Sequence, residues 1–263
     1  MKNPGIIKYD SLSQHNEIAH FCTTRYGGVS VGNYASFNLG AYAGDTDEAV
    51  KQNYKLLANL VGIEPEQFIV PYQTHSNHVL IVNKSFLDCP PDKRHIKLNG
   101  VDALVTNQPG ICIGVTTADC VPILFYDQKK KVVAAAHAGW RGTCSKITEI
   151  TVTEMIDKFG CQPTDIEAVI GPSISGKVYN VGTEVLGAFS SAGFPIELIF
   201  SAESGNLLLD LWLANRWLLE QVGIPSDQIE VSGHCTYTEH EQFFSARRLG
   251  IKSGRLLSGI MLR

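Results

Sequence analysis

Residues 121–137, VPILFYDQKKKVVAAAH, hold two apolar runs separated by Asp127-Gln128-Lys129-Lys130-Lys131. Runs this rich in Val, Ile and Ala read as buried strands, and the lysine-bearing stretch reads as a solvated hairpin turn between them. Antiparallel pairing of the two then follows. It brings Cys120, just before the first run, and His137, at the end of the second, into one sheet. Their separation of seventeen residues is compatible with contact.

Working outward, ALVT (103–106), ICIGVTT (111–117) and VLIV (79–82) read as further strands, with His75 in the turn PYQTHSNHV before the last of them. His75, Cys120 and His137 each sit at the end of an apolar run and are followed by small or turn-forming residues. Reactive groups are commonly held where buried strands run out into loops, so the three are read as one site. Asp45-Thr46-Asp47-Glu48 resembles a capping box, and Val50, Tyr54, Leu57 and Val61 recur at helical spacing before Gly62. Further helices are expected at about 144–159, 184–191 and 208–222, and strands at IEAVIG, IEVSG and FFSA. FLDCPPDKRHIKLNG (86–100) is polar and proline-bearing and reads as a surface excursion. Strands and helices mixed without βαβ alternation predict an α+β fold.

At 263 residues, 44% of them hydrophobic and 18% charged, the chain can bury one substantial core, and a single domain over 1–263 is expected. A net charge of −4 with no block of five like charges disfavours nucleic acid and membrane surfaces as partners. The first seventeen residues lack the apolar stretch of a signal peptide, which predicts a cytoplasmic protein. Seven cysteines with no CxxC pair suggest neither a disulfide framework nor a zinc ribbon.

A thiolate and two neutral imidazoles offer Zn²⁺ three ligands and leave a fourth position open, the arrangement of catalytic zinc. On residue types alone, a buried thiol beside two hydrogen-bonded core histidines is an equally valid reading. Asp119 adjoins Cys120 and Gln73 lies two positions before His75, so each has a polar neighbour able to orient it or touch a substrate. Arg141, in HAGWRGT before an expected helix, is a candidate anion ligand, with a surface ion pair as the alternative. The glycine-rich segment 24–45 contains no GxGxxG or P-loop pattern.

Taken together, the segments resemble the YfiH-like family, historically called laccase-domain or polyphenol oxidase proteins and more recently purine nucleoside phosphorylases. TTRYGGVSVGNYASFNLG, QTHS, VDALVT with PGICIGVTTADC, and AAAHAGWRGT carry the resemblance, followed in order by IGPSISGKVYNVG, LDLWLANRWLL, CTYT and FFSARR. The resemblance implies a mixed-sheet sandwich with flanking helices. It makes His75, Cys120 and His137 metal ligands, with zinc expected and copper as the alternative ion. Asn38, Gln73, Asp119 and Arg141 are similar to the family's pocket residues. Two positions depart from it: Tyr54 stands where many relatives carry arginine, and Ala246 where many carry an aromatic or histidine.

The implied activity is phosphorolysis of adenosine, inosine or S-methyl-5′-thioadenosine, with adenosine deamination beside it, in a monomer or homodimer. Arg141 is then the candidate for the phosphate, with Arg25, Arg247 and Arg248 as substitutes. Asp119 is the candidate for protonating the purine, and Tyr179, Phe243 or Phe244 for stacking it. Three other readings compete. Cys120 activated by His137 would give an amidase-type hydrolase, such as one editing peptidoglycan precursors. A copper polyphenol oxidase would have only Met155 and Met261 as internal axial ligands and no HxH pair for a trinuclear cluster. The last is a metal-binding protein without catalysis.

Overall fold

Two mixed β-sheets stack face to face and carry helices on their outer sides in the computed structural model, which describes residues 5–263. The six-stranded sheet runs Ile229–Val231, Ile166–Ile170, Val121–Asp127, Val132–Ala138, Ala103–Thr106, Val79–Ile81 from edge to edge. The five-stranded sheet runs Ile6–Ile7, Ile18–Thr23, Leu256–Leu262, Cys112–Thr117, Phe68–Ile69. A separate antiparallel ribbon pairs Phe200–Glu203 with Asn206–Leu209. This is the mixed-sheet α+β sandwich the sequence leads one to expect.

Side-chain alternation explains the unbroken apolar run from 121. Val121, Ile123 and Phe125 pack outward with Ile147, Val152 and Met155 of the helix Ile147–Phe159 and with Ala214 and Leu218 of Leu211–Gln221. Leu124 and Tyr126 point the other way, onto Ile113, Val115, Leu256 and Ile260 of the facing sheet. A strand covered on both faces needs no polar alternate. The outer face of the five-stranded sheet, with Phe21, Cys112, Leu257 and Met261, is covered by Leu57 of the helix Asp47–Val61. Each such side chain contributes about 1.5–3 kcal/mol when fully buried. The strand interiors therefore carry the stability, and the strand ends are left free for chemistry.

The helix Asp47–Val61 begins at Thr46, whose side chain accepts from the Ala49 amide, and ends at Gly62 in the left-handed region (φ 78°). Several boundaries differ from expectation, each for a local reason. The expected helix at 144–159 is two, Trp140–Cys144 and Ile147–Phe159, broken where Lys146 turns to φ 62°. The 208–222 helix starts later, at Leu211, because Asp210 caps it by accepting from the Trp212 and Leu213 amides while Asn206–Leu209 pairs as a strand. The stretch 86–100 is not irregular. The helix Lys84–Leu87, capped by Asn83, ends within it, and Pro91–Leu98 has a proline in its first turn, where no amide is needed. FFSA is not a strand: Phe243 and Phe244 plug the inter-sheet core from a loop, and Ser245 caps the short helix Ala246–Leu249. All seven cysteines are free thiols, and among the described residues no helix is long and apolar enough to cross a membrane.

Candidate metal centre

Strand register builds the site. Pairing Val121 with Ala138 and Ala103 with Ala136 puts the starts of two strands beside the end of the one between them. Asp102 and Cys120 each stand one residue before a strand start, and His137 is the penultimate residue of its own. By alternation Asp102 shares a face with Leu104, Cys120 with Leu124, and His137 with Ala135, all lining the space between the sheets. Val79–Ile81 runs parallel to Ala103–Thr106, so the turn carrying His75 arrives at the same end.

Donor atoms of His75, Cys120 and His137 consequently lie within 4.8 Å of one another. His75 Nε2 is 3.7 Å from Cys120 Sγ, and the two imidazole rings meet edge to face with centroids 4.9 Å apart. His137 is buried while His75 faces solvent, so the cluster is open on one side.

One buried carboxylate organises two of the three donors. Asp102, 0% exposed, lies 2.7 Å from His137 Nδ1. That bond makes Nδ1 the proton-bearing nitrogen and leaves Nε2 to face the cluster. The same carboxylate accepts from the amides of Thr74, His75 and Ser76 and from Ser76 Oγ, at 2.8–3.1 Å. His75 is thereby held at φ 62°, outside the usual range of a non-glycine residue. Burial opposes ionisation of Asp102, but His137 and Ser76 more than offset it and hold the carboxyl below its usual range. Burial also pushes the Cys120 thiol up, yet the charge and hydrogen bonds of His137, then His75, bring it down to about 6. His137 moves the other way: burial lowers it, but the thiolate and Asp102 outweigh that and raise it to about 9. The two opposed shifts favour a thiolate beside an imidazolium.

The chemistry of this set fits a borderline-soft divalent ion: one thiolate, two imidazoles, an orienting carboxylate and an open side. The missing side chain of Gly139 lets two of the donors sit close to the backbone. A Cβ on Gly139 would stand 2.9 Å from both Cys120 Sγ and His75 Cδ2, closer than real Cβ contacts come.

Of the other sequence-derived candidates, Asp119, Arg141, Tyr179 and Arg247 gather near Cys120, and the rest lie elsewhere or are buried. Arg141 is exposed, within the first turn of Trp140–Cys144 rather than ahead of a helix, and its guanidinium lies 4.3 Å from the Trp140 ring centroid. Tyr179, half-buried, sits within electrostatic reach of Cys120, Asp119, Arg141 and Arg247; burial, then the Cys120 charge, pushes its hydroxyl up to about 12. Asp119, at φ 86°, uses one oxygen for Thr236 Oγ1 at 2.7 Å and the other for the Arg247 amide at 2.6 Å. It ties two loops together and is poorly placed to protonate a leaving base. Asn38 is fully buried, accepting from the Gly40 and Arg255 amides and donating to Asp45. Gln73 is bound to Thr116 through its amide nitrogen and oxygen, stitching the His75 turn to the strand Cys112–Thr117.

Phe243 and Phe244 are 0% exposed and cannot stack a ligand, which leaves Tyr179 of that trio. Arg25 commits Nε, Nη1 and Nη2 to the Ala35 and His240 carbonyls, whereas exposed Arg248 gives only its Nε to that of Tyr237. Arg247 lies over the Tyr179 ring and donates to the Asn180 carbonyl. Tyr54 does face the main cavity, but its hydroxyl bonds the Leu39 carbonyl; the cations on that wall are Lys51, Lys55, Lys252 and Arg255. Ala246 opens the short helix after Ser245 and is half-buried against the inter-sheet core.

That cavity, about 1010 Å³, does not contain the three donors; its inner end is Gln73, Thr116 and Arg255. Arg255 nevertheless feels the charges of Cys120 and Asp119, which places the cavity beside the cluster. Asp102, Gly139 and Arg255 hold positions at or beside the cluster that reading the sequence did not single out. Asp102 stands inside a quoted motif, VDALVT, and Gly139 inside AAAHAGWRGT, yet nothing in residue type marks one as a five-fold acceptor or the other as a clearance.

Comparison with known proteins points to one family whose members carry different activity names. The family described as multi-copper polyphenol oxidoreductase laccase matches residues 19–263. A purine nucleoside phosphorylase of Bacteroides thetaiotaomicron is 48% identical, covering 99% of this chain and 97% of its own. Adenosine deaminase RL5, from an unknown prokaryotic organism, is 41% identical over 96% of this chain and 97% of its own. The crystal structure of a hypothetical protein YfiH from Bacillus licheniformis superposes with a TM-score of 0.90 at 32% identity, covering 99% of this chain and 97% of that one.

Proposed function

The chain belongs to the laccase-like, YfiH-type family, and from that premise we propose that it is a zinc-dependent purine nucleoside phosphorylase with adenosine deaminase activity. What carries the proposal is an open His75–Cys120–His137 cluster beside a large cavity, in a chain 48% identical over nearly its full length to a purine nucleoside phosphorylase. When bound, zinc supplies Lewis-acid charge at its open coordination position.

The chain's own residues do the positioning. Asp102 keeps the His137 proton on Nδ1 and fixes the His75 turn, so that the donors need little rearrangement. The nucleoside occupies the cavity running from Gln73 and Thr116, with its reacting end toward the cluster. Arg141, exposed beside Tyr179, presents a guanidinium to phosphate, whose oxygen bonds C1′ as the C1′–N9 bond breaks and the purine leaves, the proton it needs coming from the phosphate through solvent. Deamination is a different step and needs a second pose, with the base rather than C1′ facing the cluster, so that water adds at C6 and ammonia leaves.

A second reading is favoured by one observation. Cys120, His137 and Asp102 also form a thiolate–imidazole–carboxylate series, the arrangement of a cysteine hydrolase. Copper oxidase chemistry gains less support, because Met155 and Met261 are both core residues, packed in clusters away from the donors. The deciding experiment is metal analysis of the purified protein, with products identified after incubation with adenosine, with and without phosphate. Adenine plus ribose 1-phosphate, formed only with phosphate, is the expected result; inosine alone would assign a deaminase, and no turnover would reject the proposal.

A further inference from the structure

We propose that Tyr42 and Tyr72 form the platform on which the purine ring lies, at the outer part of the cavity. The inference rests on the nucleoside reading above and names the residues that would recognise the base.

Single exposed apolar side chains are ordinary, but a contiguous exposed apolar patch marks a binding surface. Among the described residues, the phenylalanine, tyrosine and tryptophan side chains in the exposed class are Tyr42, 56% exposed, and Tyr72, 40% exposed. Both line the same cavity, and they touch each other edge to face, with ring centroids 4.5 Å apart and planes at 81°. An arrangement of this kind leaves a right-angled corner. A planar heterocycle can lie flat on one ring with its edge against the other, the two geometries aromatic pairs prefer. Ile251, 81% exposed, lines the same cavity and adds a further apolar surface.

The corner is held in place by backbone. Tyr72 donates its amide to the Leu98 carbonyl and accepts from the Gly100 amide, at 3.0 and 2.9 Å. The loop of Tyr42 is tied by the Tyr34 hydroxyl, which donates to the Ala43 carbonyl. Little order remains to be imposed on binding, which favours affinity. Position agrees as well: Tyr72 directly precedes Gln73, and Gln73 is two residues, at most about 7 Å of chain, from His75. A nucleoside can therefore lie with its base on the tyrosines and its sugar toward the cluster. Lys51, Lys55, Lys252 and Arg255 against a single acid, Glu66, give the cavity a positive balance suited to an anionic co-substrate.

The test uses the zinc-loaded protein with Tyr42 and Tyr72 changed singly to Ala and to Phe. Adenine affinity is measured by calorimetry, and KM for adenosine and for phosphate by product formation. Stacking on an aromatic residue is typically worth roughly 5- to 150-fold on removal. The alanine variants are expected to lose about tenfold or more in both adenine affinity and adenosine KM, with the phosphate KM and melting temperature holding; Phe, which keeps the ring, restores binding. Wild-type values in the alanine variants, or no adenine binding by the unaltered protein, would overturn the platform. Platform and activity fail separately: if adenine binds and the alanine variants lose it, but no nucleoside turns over, the platform stands and the phosphorylase reading falls.

Discussion

Asp102 is the residue on which most depends, because it holds two of the three candidate ligands at once. Replacing it with Asn keeps the volume but substitutes a donor for one acceptor oxygen, leaving at least two of five donors facing an amide nitrogen. Asp102→Asn should weaken zinc binding about 10- to 100-fold, read by competition with a chromophoric chelator. Its pH signature has a definite sign. A carboxyl held below its ordinary value stabilises the fold above the unfolded pKa of about 4 and loses that contribution as pH falls through the folded value. The variant's melting temperature should therefore differ most from wild type near neutrality and converge with it in acid. Cys120 gives a second test in metal-free protein. Alkylation by iodoacetamide should rise with a midpoint near pH 6, while Cys22, pushed up to about 12 by burial, stays inert. A midpoint near 9 for Cys120 would remove the ion pair with His137.

At the level of elements, the tightest constraint is the join between the strand Val132–Ala138 and the helix Trp140–Cys144. Gly139 there has ordinary angles, φ −69° and ψ 171°, so alanine strains no backbone and clashes only with Cys120 and His75. Gly139→Ala should abolish zinc retention while the metal-free melting temperature changes little, as followed by metal analysis and circular dichroism. The strands around 121 were legible in the sequence because both their faces are buried, and their composition says so without help from partners. Ile18–Thr23 and Leu256–Leu262 were not, since IAHFCT and LLSGIML carry His20, Ser258 and Gly259 inside them and become strands through pairing with each other. FFSA misled in the opposite direction: two aromatics in a row suit a strand, but here they fill the core from a loop.

For the whole molecule, the candidate site was legible as three residues at apolar run ends, and what converges on them was not. Arg255 reaches the site from 135 positions beyond Cys120, a closeness created by sheet stacking that no local spacing records. Arg141 tests the division of labour in the proposed reaction. Arg141→Ala should lower kcat/KM for phosphate by about ten- to a hundredfold, the worth of a charge-assisted hydrogen bond, and spare deamination, which needs no phosphate. Equal loss of both activities would move the phosphate to the lysines of the cavity. One further consequence lies in where the donors come from. His75 and Cys120 are 45 residues apart and Cys120 and His137 are 17 apart, so an ion shared by them would be a reversible cross-link closing two loops of the chain. Binding only the folded form, it would add about 2.7 kcal/mol at a free concentration a hundred times its dissociation constant. The lifetime of this protein against heat and proteases should then follow the zinc supply around it, so that scarcity of the ion would remove the enzyme as well as its activity.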